Sequence, residues 1–240
     1  IASSVSFLIS AIYSTRILLT KQQEDDSLNV MVDKKEVRQK FFYVGFYIFI
    51  RSMFLTIFMA YLRNRASLMS MEEIALQHVL LQLWSFGYVF VDALAIAAQT
   101  LVSEYKTKFI DYKNSDLKKY LNMLTLRISI FLFIFSSIFL DILVTLITDK
   151  YLAQLIDLEL RILFGLSLLI GSFAFLWDGV LLGLDKSKEF SSLSVVSSII
   201  GFVSCSYLLN FENSLMSLWI GLNLSLVYRG LAGYLYQIRD

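Results

Sequence analysis

The amino-acid sequence predicts an all-α membrane protein with about seven transmembrane helices. Hydrophobic residues make up 57% of the chain, and its mean hydropathy is +0.66, whereas soluble domains contain roughly 45–50% apolar residues. The apolar residues form long blocks with charged stretches between them, which indicates that a lipid bilayer surrounds the chain. These blocks are continuous rather than alternating, a pattern typical of helices and not of membrane β-strands.

Seven segments reach or approach the length of about 20 apolar residues that a spanning helix needs. In chain order they cover approximately residues 1–19, 41–62, 74–102, 124–148, 162–184, 190–210 and 215–236, and they are numbered one to seven. The connections between them differ in kind. The long connections at residues 20–40 and 103–123 are polar and rich in lysine, whereas residues 185–189 and 211–214 are short turns.

The distribution of Lys and Arg predicts the orientation of these segments. The loops after segments one, three and five, together with the tail, carry most of these residues. Loops rich in Lys and Arg face the cytoplasm, so we expect a cytoplasmic C-terminus. We expect the surrounding membrane to be the plasma (inner) membrane. Three further arginines lie within reach of cytoplasmic helix ends and are interpreted as anchors that extend toward the headgroups: Arg16, Arg127 and Arg229.

Several function classes find no support in the sequence. The net charge is +1, which gives no reason to expect nucleic acid as a partner. The single cysteine, Cys205, lies in an apolar run and is expected to pack in a core. We find no metal-binding cluster, nucleotide loop or nucleophile–base pattern, so we expect neither an enzyme nor a cofactor.

Three ionisable residues lie deep within the predicted spans. Arg51 is at the centre of segment two, about 15 Å from either end, which is too far for its charge to reach water easily. Asp92 lies about 18 Å from the cytoplasmic end of segment three, and Asp178 about 11 Å from that of segment five. Charges in hydrocarbon pair with one another or face a wet cavity, so we expect the three to converge on one polar site.

Two interpretations of this site remain open. Burial raises the pKa of a carboxylate and a neighbouring arginine lowers it, so Asp92 and Asp178 could exchange a proton or bind Na⁺. Alternatively, a static Arg–Asp pair only fixes the packing of the helices. Asp141, in the outer third of segment four, is expected to be interfacial or water-lined.

Three residues are candidates for a substrate cavity: Gln99, Trp177 and Trp84. Gln99 lies in the inner half of segment three, and Trp177 precedes Asp178. Trp84, like Trp219, fits an outer aromatic belt or an upper cavity.

The two aspartates also share a local pattern. Each is followed by a small residue one and five positions later and by a polar residue seven positions later. After Asp178 the small residues are Gly179 and Gly183. Small residues at this spacing let helices approach closely.

These residues resemble a known transporter family. The stretch LWSFGYVFVDALAIAAQTLVSEY, residues 83–105, resembles the eighth helix of multidrug and toxic compound extrusion (MATE) transporters, in the branch named for DNA-damage-inducible protein F. The stretch FLWDGVLLGLDKS, residues 175–187, resembles the tenth helix, and Arg51 falls where this branch has an arginine in its seventh helix.

The resemblance implies a division of the chain. Residues 1–19 would be the end of the last helix of an N-terminal lobe, residues 20–40 a cytoplasmic linker, and residues 41–240 the six-helix C-terminal lobe. It also implies an antiporter that exports small organic compounds in exchange for H⁺ or Na⁺, with Asp92 and Asp178 among the coupling acids and the N-terminal lobe missing. The alternatives are a lipid-linked oligosaccharide flippase of the same superfamily and, more remotely, a seven-span receptor.

Overall fold

The computed structural model describes residue 13 and residues 34–108, 116–148, 150–211 and 214–239. It divides the chain into two compact units, Ile1–Tyr43 and Val44–Asp240. All the regular elements in the described ranges are helices. They are α1 (Lys34–Ala66), α2 (Met71–Thr107), α3 (Asp116–Ile147), α4 (Lys150–Gln154), α5 (Leu158–Gly183), α6 (Ser187–Leu209) and α7 (Leu215–Arg239).

Six of these helices are long and apolar enough to cross a membrane: all except α4. They correspond to predicted segments two to seven, so the prediction of an all-α, multi-pass membrane protein is confirmed. Segment one and residues 20–33 lie outside the described residues, apart from Tyr13. Helix α1 begins at Lys34, so the last residues of the predicted linker are helical, and the short helix α4 was not predicted.

Local sequence signals account for two of the helix boundaries. At the start of α2, the Ser70 hydroxyl accepts a hydrogen bond from the Glu73 amide, and the Glu73 carboxylate accepts one from the Ser70 amide. This reciprocal capping satisfies amides that the first turn leaves unpaired. Helix α5 ends where the Lys186 amide donates to the Leu181 carbonyl across Asp185, whose φ of 64° is left-handed. This tight reversal lies within the predicted turn of residues 185–189, although α6 already begins at Ser187.

Helix α5 lies at the centre of the second unit and packs against α2, α3 and α7. Two of its glycines allow a close approach to the backbone of α2, because a Cβ on Gly179 would overlap the carbonyl of Ala95, and one on Gly183 would lie 2.7 Å from the carbonyl oxygen of Gln99. The small residues after Asp178 therefore bring α5 against the backbone of α2. This contact places Asp178 and Asp92 on neighbouring helices.

Two residues of the core bear on the sequence predictions. Cys205 is fully buried, so its predicted role in core packing is confirmed. Trp219 is 1% exposed, and its indole Nε1 donates a hydrogen bond of 2.9 Å to Gln77 Oε1. The sequence placed Trp219 in an outer aromatic belt or an upper cavity. The belt position is wrong, because a buried glutamine in α2 satisfies the indole N–H inside the core.

Candidate functional site

Asp178 is a buried carboxylate held by an arginine from α7. Arg229 donates from Nε to Asp178 Oδ1 at 3.2 Å and from Nη2 to Oδ2. Arg229 is 2% exposed and Asp178 5% exposed, so this two-pronged pair is almost fully removed from the surroundings of the protein. The interpretation of Arg229 as an anchor at the headgroups is therefore wrong. Its guanidinium finds a carboxylate within the helix bundle instead.

The packing of α7 on α5 brings Arg229 to Asp178. Gly233 lies against the side chain of Trp177, and Gly230 lies next to the backbone of Ala174. The Arg229 guanidinium is also 4.6 Å from the centre of the Phe175 ring. An aromatic face attracts a cation, so this ring adds to the pairing with Asp178.

Arg51 of α1 also approaches Asp178, with 3.5 Å between its Nη2 and Oδ2 of the carboxylate. The Arg51 guanidinium lies over the ring of Phe190 in α6, 4.5 Å from its centre. Among the described residues it makes no hydrogen bond, and its Nε is buried without a partner. The structure thus brings Arg51 and Asp178 together, as the sequence predicted, but Arg229 binds the carboxylate more directly.

Asp92 lies beside this cluster without joining it. Its side chain is exposed, and among the described residues it has no hydrogen bond and no ion pair. Its charge nevertheless acts on both Arg51 and Arg229. Of the three residues predicted to converge, two are in contact and the third is a nearby, unpaired carboxylate.

A group of tilted aromatic rings lies between α2 and α5 and includes one of the substrate-cavity candidates. The Tyr88 ring lies 4.7 Å from Phe175 and 3.9 Å from Trp84, measured between ring centres. The Tyr88 hydroxyl donates to the Ser167 carbonyl at 3.3 Å, and Trp84 Nε1 donates to Ser167 Oγ at 3.0 Å. Trp84 is therefore half-buried against α5.

The other two substrate-cavity candidates occupy different places. Trp177 is buried and lines an apolar cavity of about 410 Å³ between α5 and α7, where its ring lies 5.6 Å from that of Tyr234. Gln99 is exposed on α2, and within the described ranges its side chain has no hydrogen bond. The structure does not bring Gln99 to the charged cluster.

Asp141 pairs with an arginine that the sequence analysis did not connect to it. Arg161 Nη2 donates to both carboxylate oxygens, at 2.6 and 2.7 Å. The side chains of Asp141 and Arg161 are 41% and 24% exposed. This second pair joins α3 to α5 away from Asp178 and is partly open to the surroundings.

No sequence signal marked Arg229 as part of the site. Its position near the predicted cytoplasmic end of segment seven suggested an anchor, since the sequence does not show which helix covers Asp178. The described residues contain no group of three or more His, Cys, Asp or Glu side chains that could hold a metal ion. The ionisable groups of the cluster are Arg51, Arg229 and Asp178, with Asp92 beside it, and Arg229 and Asp178 are the most buried of the four.

Comparisons with known proteins support the fold. No protein-family model matches the chain, and no curated protein matches it. A solved structure described as "Crystal structure of MATE in the bent conformation" matches with a TM-score of 0.74 at 15% sequence identity. The match covers 88% of this chain and 47% of the other, so the chain spans about half the length of that protein. The chain therefore has the helical fold found in a MATE structure.

Proposed function

We propose that this chain is the C-terminal lobe of a secondary active antiporter, which exports organic compounds in exchange for H⁺ or Na⁺ by alternating access. The observation that carries the proposal is Asp92, an unpaired carboxylate in a spanning helix beside two intramembrane arginines. A charged group inside a membrane protein is costly to keep, and such groups commonly lie on ion or substrate pathways. The MATE-like fold supports the same class of protein.

The two aspartates have different roles in this proposal. Asp178 is occupied by Arg229, so it holds α5 and α7 together and keeps the arginine neutralised. Asp92 is free to take up a proton or Na⁺. The interpretation as a static pair therefore suits Asp178, and the interpretation as a coupling group suits Asp92.

Charge balance links cation uptake to movement. With Asp92 ionised, the two arginines face two carboxylates and the cluster is neutral overall. Once Asp92 takes up a cation, one positive charge is left uncompensated near Arg51. Low-dielectric surroundings make that charge unfavourable, so the helices are biased toward an arrangement that relieves it. Alternating access between two such arrangements is how secondary transporters work.

The intact protein in lipid vesicles provides the test. Export of ethidium, a fluorescent organic cation, would be measured under an imposed pH gradient and, separately, a Na⁺ gradient. Asp92→Asn should lower gradient-driven export at least tenfold, because the amide cannot take up a coupling cation. Asp141→Asn is the matched control outside the cluster and should export normally. Wild-type export by Asp92→Asn under both gradients would remove Asp92 from the mechanism.

A flippase for lipid-linked oligosaccharides remains the second candidate, because the cluster contains two arginines and not one. Such a protein binds the phosphates of its lipid carrier, and arginine suits phosphate. Vesicles containing a fluorescent lipid-linked saccharide separate the two functions. Movement of this lipid without an ion gradient, together with no export of ethidium, would favour the flippase.

Other parts of the proposal concern the whole protein. We expect a second, N-terminal lobe to complete the transport pathway, since the chain matches only 47% of the MATE structure. We also propose a location in the plasma membrane and a cytoplasmic C-terminus; the distribution of Lys and Arg supports the orientation but does not identify the membrane. We expect no enzymatic activity, no cofactor beyond the coupling ion and no binding of nucleic acid.

A further inference from the structure

The apolar cavity beside Trp177 is a groove that opens at the surface of the helix bundle and is lined by residues of α3, α5 and α7. Its volume is about 410 Å³, and Phe173 and Trp177 form part of its wall. Gly230 leaves space within it, because a Cβ there would lie 3.8 Å from its nearest neighbour. Leu231 and Tyr234 line the groove and are exposed. Around helices that cross a membrane, the surroundings of such a groove are acyl chains.

The length and position of this groove match an acyl chain in one half of a bilayer. From Leu169 to Trp177 the groove extends about 12 Å along α5. One leaflet contributes about 15 Å of hydrocarbon. Trp177 lies about 9 Å from the end of α5 at Gly183, and Leu169 lies about 21 Å from it. The groove therefore runs from the middle of α5 toward the end that we expect to be cytoplasmic.

Two hydrogen-bond donors lie in the lining of the groove. Asn122 of α3 makes no hydrogen bond within the described ranges, and its Oδ1 is buried. Its amide nitrogen is therefore the donor that this side chain can offer to a ligand. The exposed hydroxyl of Tyr234 likewise makes no hydrogen bond with the described residues. Both donors suit the ester carbonyls of a phospholipid, because pairing removes the cost of leaving polar groups unsatisfied.

A lysine lies beyond these donors, toward the end of the bundle. Lys118 precedes Asn122 by four residues on α3, and residues at this spacing share a helix face with their Cβ atoms about 5–6 Å apart. In the described part of the chain Lys118 has no ion pair, whereas Lys119 approaches Asp116 at 3.7 Å. Lysines at this position attract the anionic lipids of the cytoplasmic leaflet. The order of ammonium group, donors and apolar groove is the order of phosphate, ester and acyl chain in a phospholipid.

We propose that this groove binds an anionic phospholipid, with one acyl chain along Trp177, the ester at Asn122 and Tyr234, and the phosphate at Lys118. The lipid contacts α3, α5 and α7 at once, so it favours the arrangement of these three helices that forms the groove. Neither Arg51 nor Asp92 lines the groove. The inference therefore does not depend on the proposed antiport function.

Brominated lipids test this site, because bromine on an acyl chain quenches the fluorescence of a tryptophan that it touches. The intact protein would be placed in phosphatidylcholine vesicles with increasing fractions of brominated phosphatidylglycerol, which is anionic, or of brominated phosphatidylcholine, which has no net charge. The difference between the wild type and Trp177→Phe isolates the fluorescence of Trp177. We expect half-quenching at an about fivefold lower fraction of the anionic lipid, the preference that one lysine near the surface provides.

Two pairs of variants assign the signal to the groove. Lys118→Gln should remove the preference for the anionic lipid but not the quenching, whereas Lys188→Gln, in the first turn of α6, is the matched control and should keep the preference.

Gly230→Leu places a side chain in the groove and should reduce quenching by both lipids at least twofold. Its control is Gly45→Leu, since a Cβ on Gly45 meets no atom within 4 Å. This control should be quenched like the wild type. If Gly230→Leu does not fold, the two lysine variants carry the test.

Three results would overturn the inference. No quenching of Trp177 by either lipid would mean that another part of the protein, such as a second lobe, covers the groove. Equal half-quenching fractions for the two lipids would mean that the groove does not select an anionic headgroup. Equal losses of preference in Lys118→Gln and Lys188→Gln would assign the preference to the general charge of this surface. The fluorescence measurement involves no transport, so its outcome is separate from that of the export assay.

Discussion

Asp178 and Asp92 lie at similar depths on two packed helices, yet their surroundings are opposite. Gly179 of α5 lies against Ala95 of α2, which places the two aspartates within about one helical turn of each other along the bundle. Asp178 is buried and bound by Arg229, with Arg51 close by. Asp92 is exposed and has no ion pair among the described residues.

The difference comes from what covers each helix and not from the local sequence. Helix α7 packs on the Asp178 side of α5 and supplies Arg229. The side of α2 that carries Asp92 is not covered in the same way, since Asp92 and its neighbours Ala93 and Ala97 are exposed. Two carboxylates with the same local pattern are therefore buried and paired in one place and exposed in the other.

The largest expected effect on stability comes from removing the charge of Asp178. Asp178→Asn leaves Arg229 buried without a counter-charge, and breaking a buried pair in this way costs about 3–5 kcal/mol of unfolding free energy. The measurement is denaturant unfolding in detergent, followed by the fluorescence of tryptophan.

A double variant tests whether the lost charge is the cause. Asp178→Asn combined with Arg229→Gln removes the uncompensated cation and should recover part of the lost stability. A loss of less than about 1 kcal/mol in Asp178→Asn alone would show that the pair does not hold the fold.

The sequence predicted most of the fold because a helix that crosses the bilayer must be a long apolar segment. Long apolar blocks identified six of the helices, and charge between the blocks identified their connections. Helix α4 escaped prediction because five residues are too few to give a periodic signal. The apolar span predicted at about residues 41–62 is shorter than helix α1, since polar residues before it continue the same helix.

The site was only partly predictable. The predicted depth of Arg51 and Asp178 in the bilayer alone indicated that they would meet, because charged groups in hydrocarbon tend to pair. The partner of Asp178 in α7 depends on which helices are neighbours, and a single sequence does not contain that information. For the same reason Arg229 was assigned to the headgroups and Trp219 to an outer aromatic belt or an upper cavity, although both are buried.

The next largest effect on stability is expected from replacing Gly179 at the contact between α2 and α5. Gly179→Ala would force the new Cβ into the carbonyl of Ala95, and overpacking of this kind costs about 1–3 kcal/mol. Gly230→Ala is the control, because its Cβ would lie 3.8 Å from the nearest atom of Ala174. The control should be neutral or slightly stabilising in the same unfolding experiment. Equal losses of unfolding free energy in both variants would mean that the close approach of α2 and α5 at Gly179 does not explain the destabilisation.

The outer pair of Asp141 and Arg161 supplies an intermediate case. Its two side chains are partly exposed, so solvent weakens their attraction. Asp141→Asn should therefore cost only about 0.2–1 kcal/mol of unfolding free energy, well below Asp178→Asn. The comparison uses the same detergent and denaturant for both variants. A loss at Asp141 as large as that at Asp178 would show that burial does not explain the difference.

Asp92→Asn should have the smallest effect on stability, within about 0.5 kcal/mol of the wild type. The substitution keeps the shape of the side chain and removes no hydrogen bond or ion pair that the described residues make with it. Its attraction to Arg51 and Arg229 is lost, but so is the cost of keeping a charge partly out of water. Unfolding and export would be measured on the same preparation, with Asp178→Asn as the reference. A stable variant that has lost gradient-driven export would separate stability from transport at Asp92, whereas a destabilised one would place Asp92 in the same structural class as Asp178.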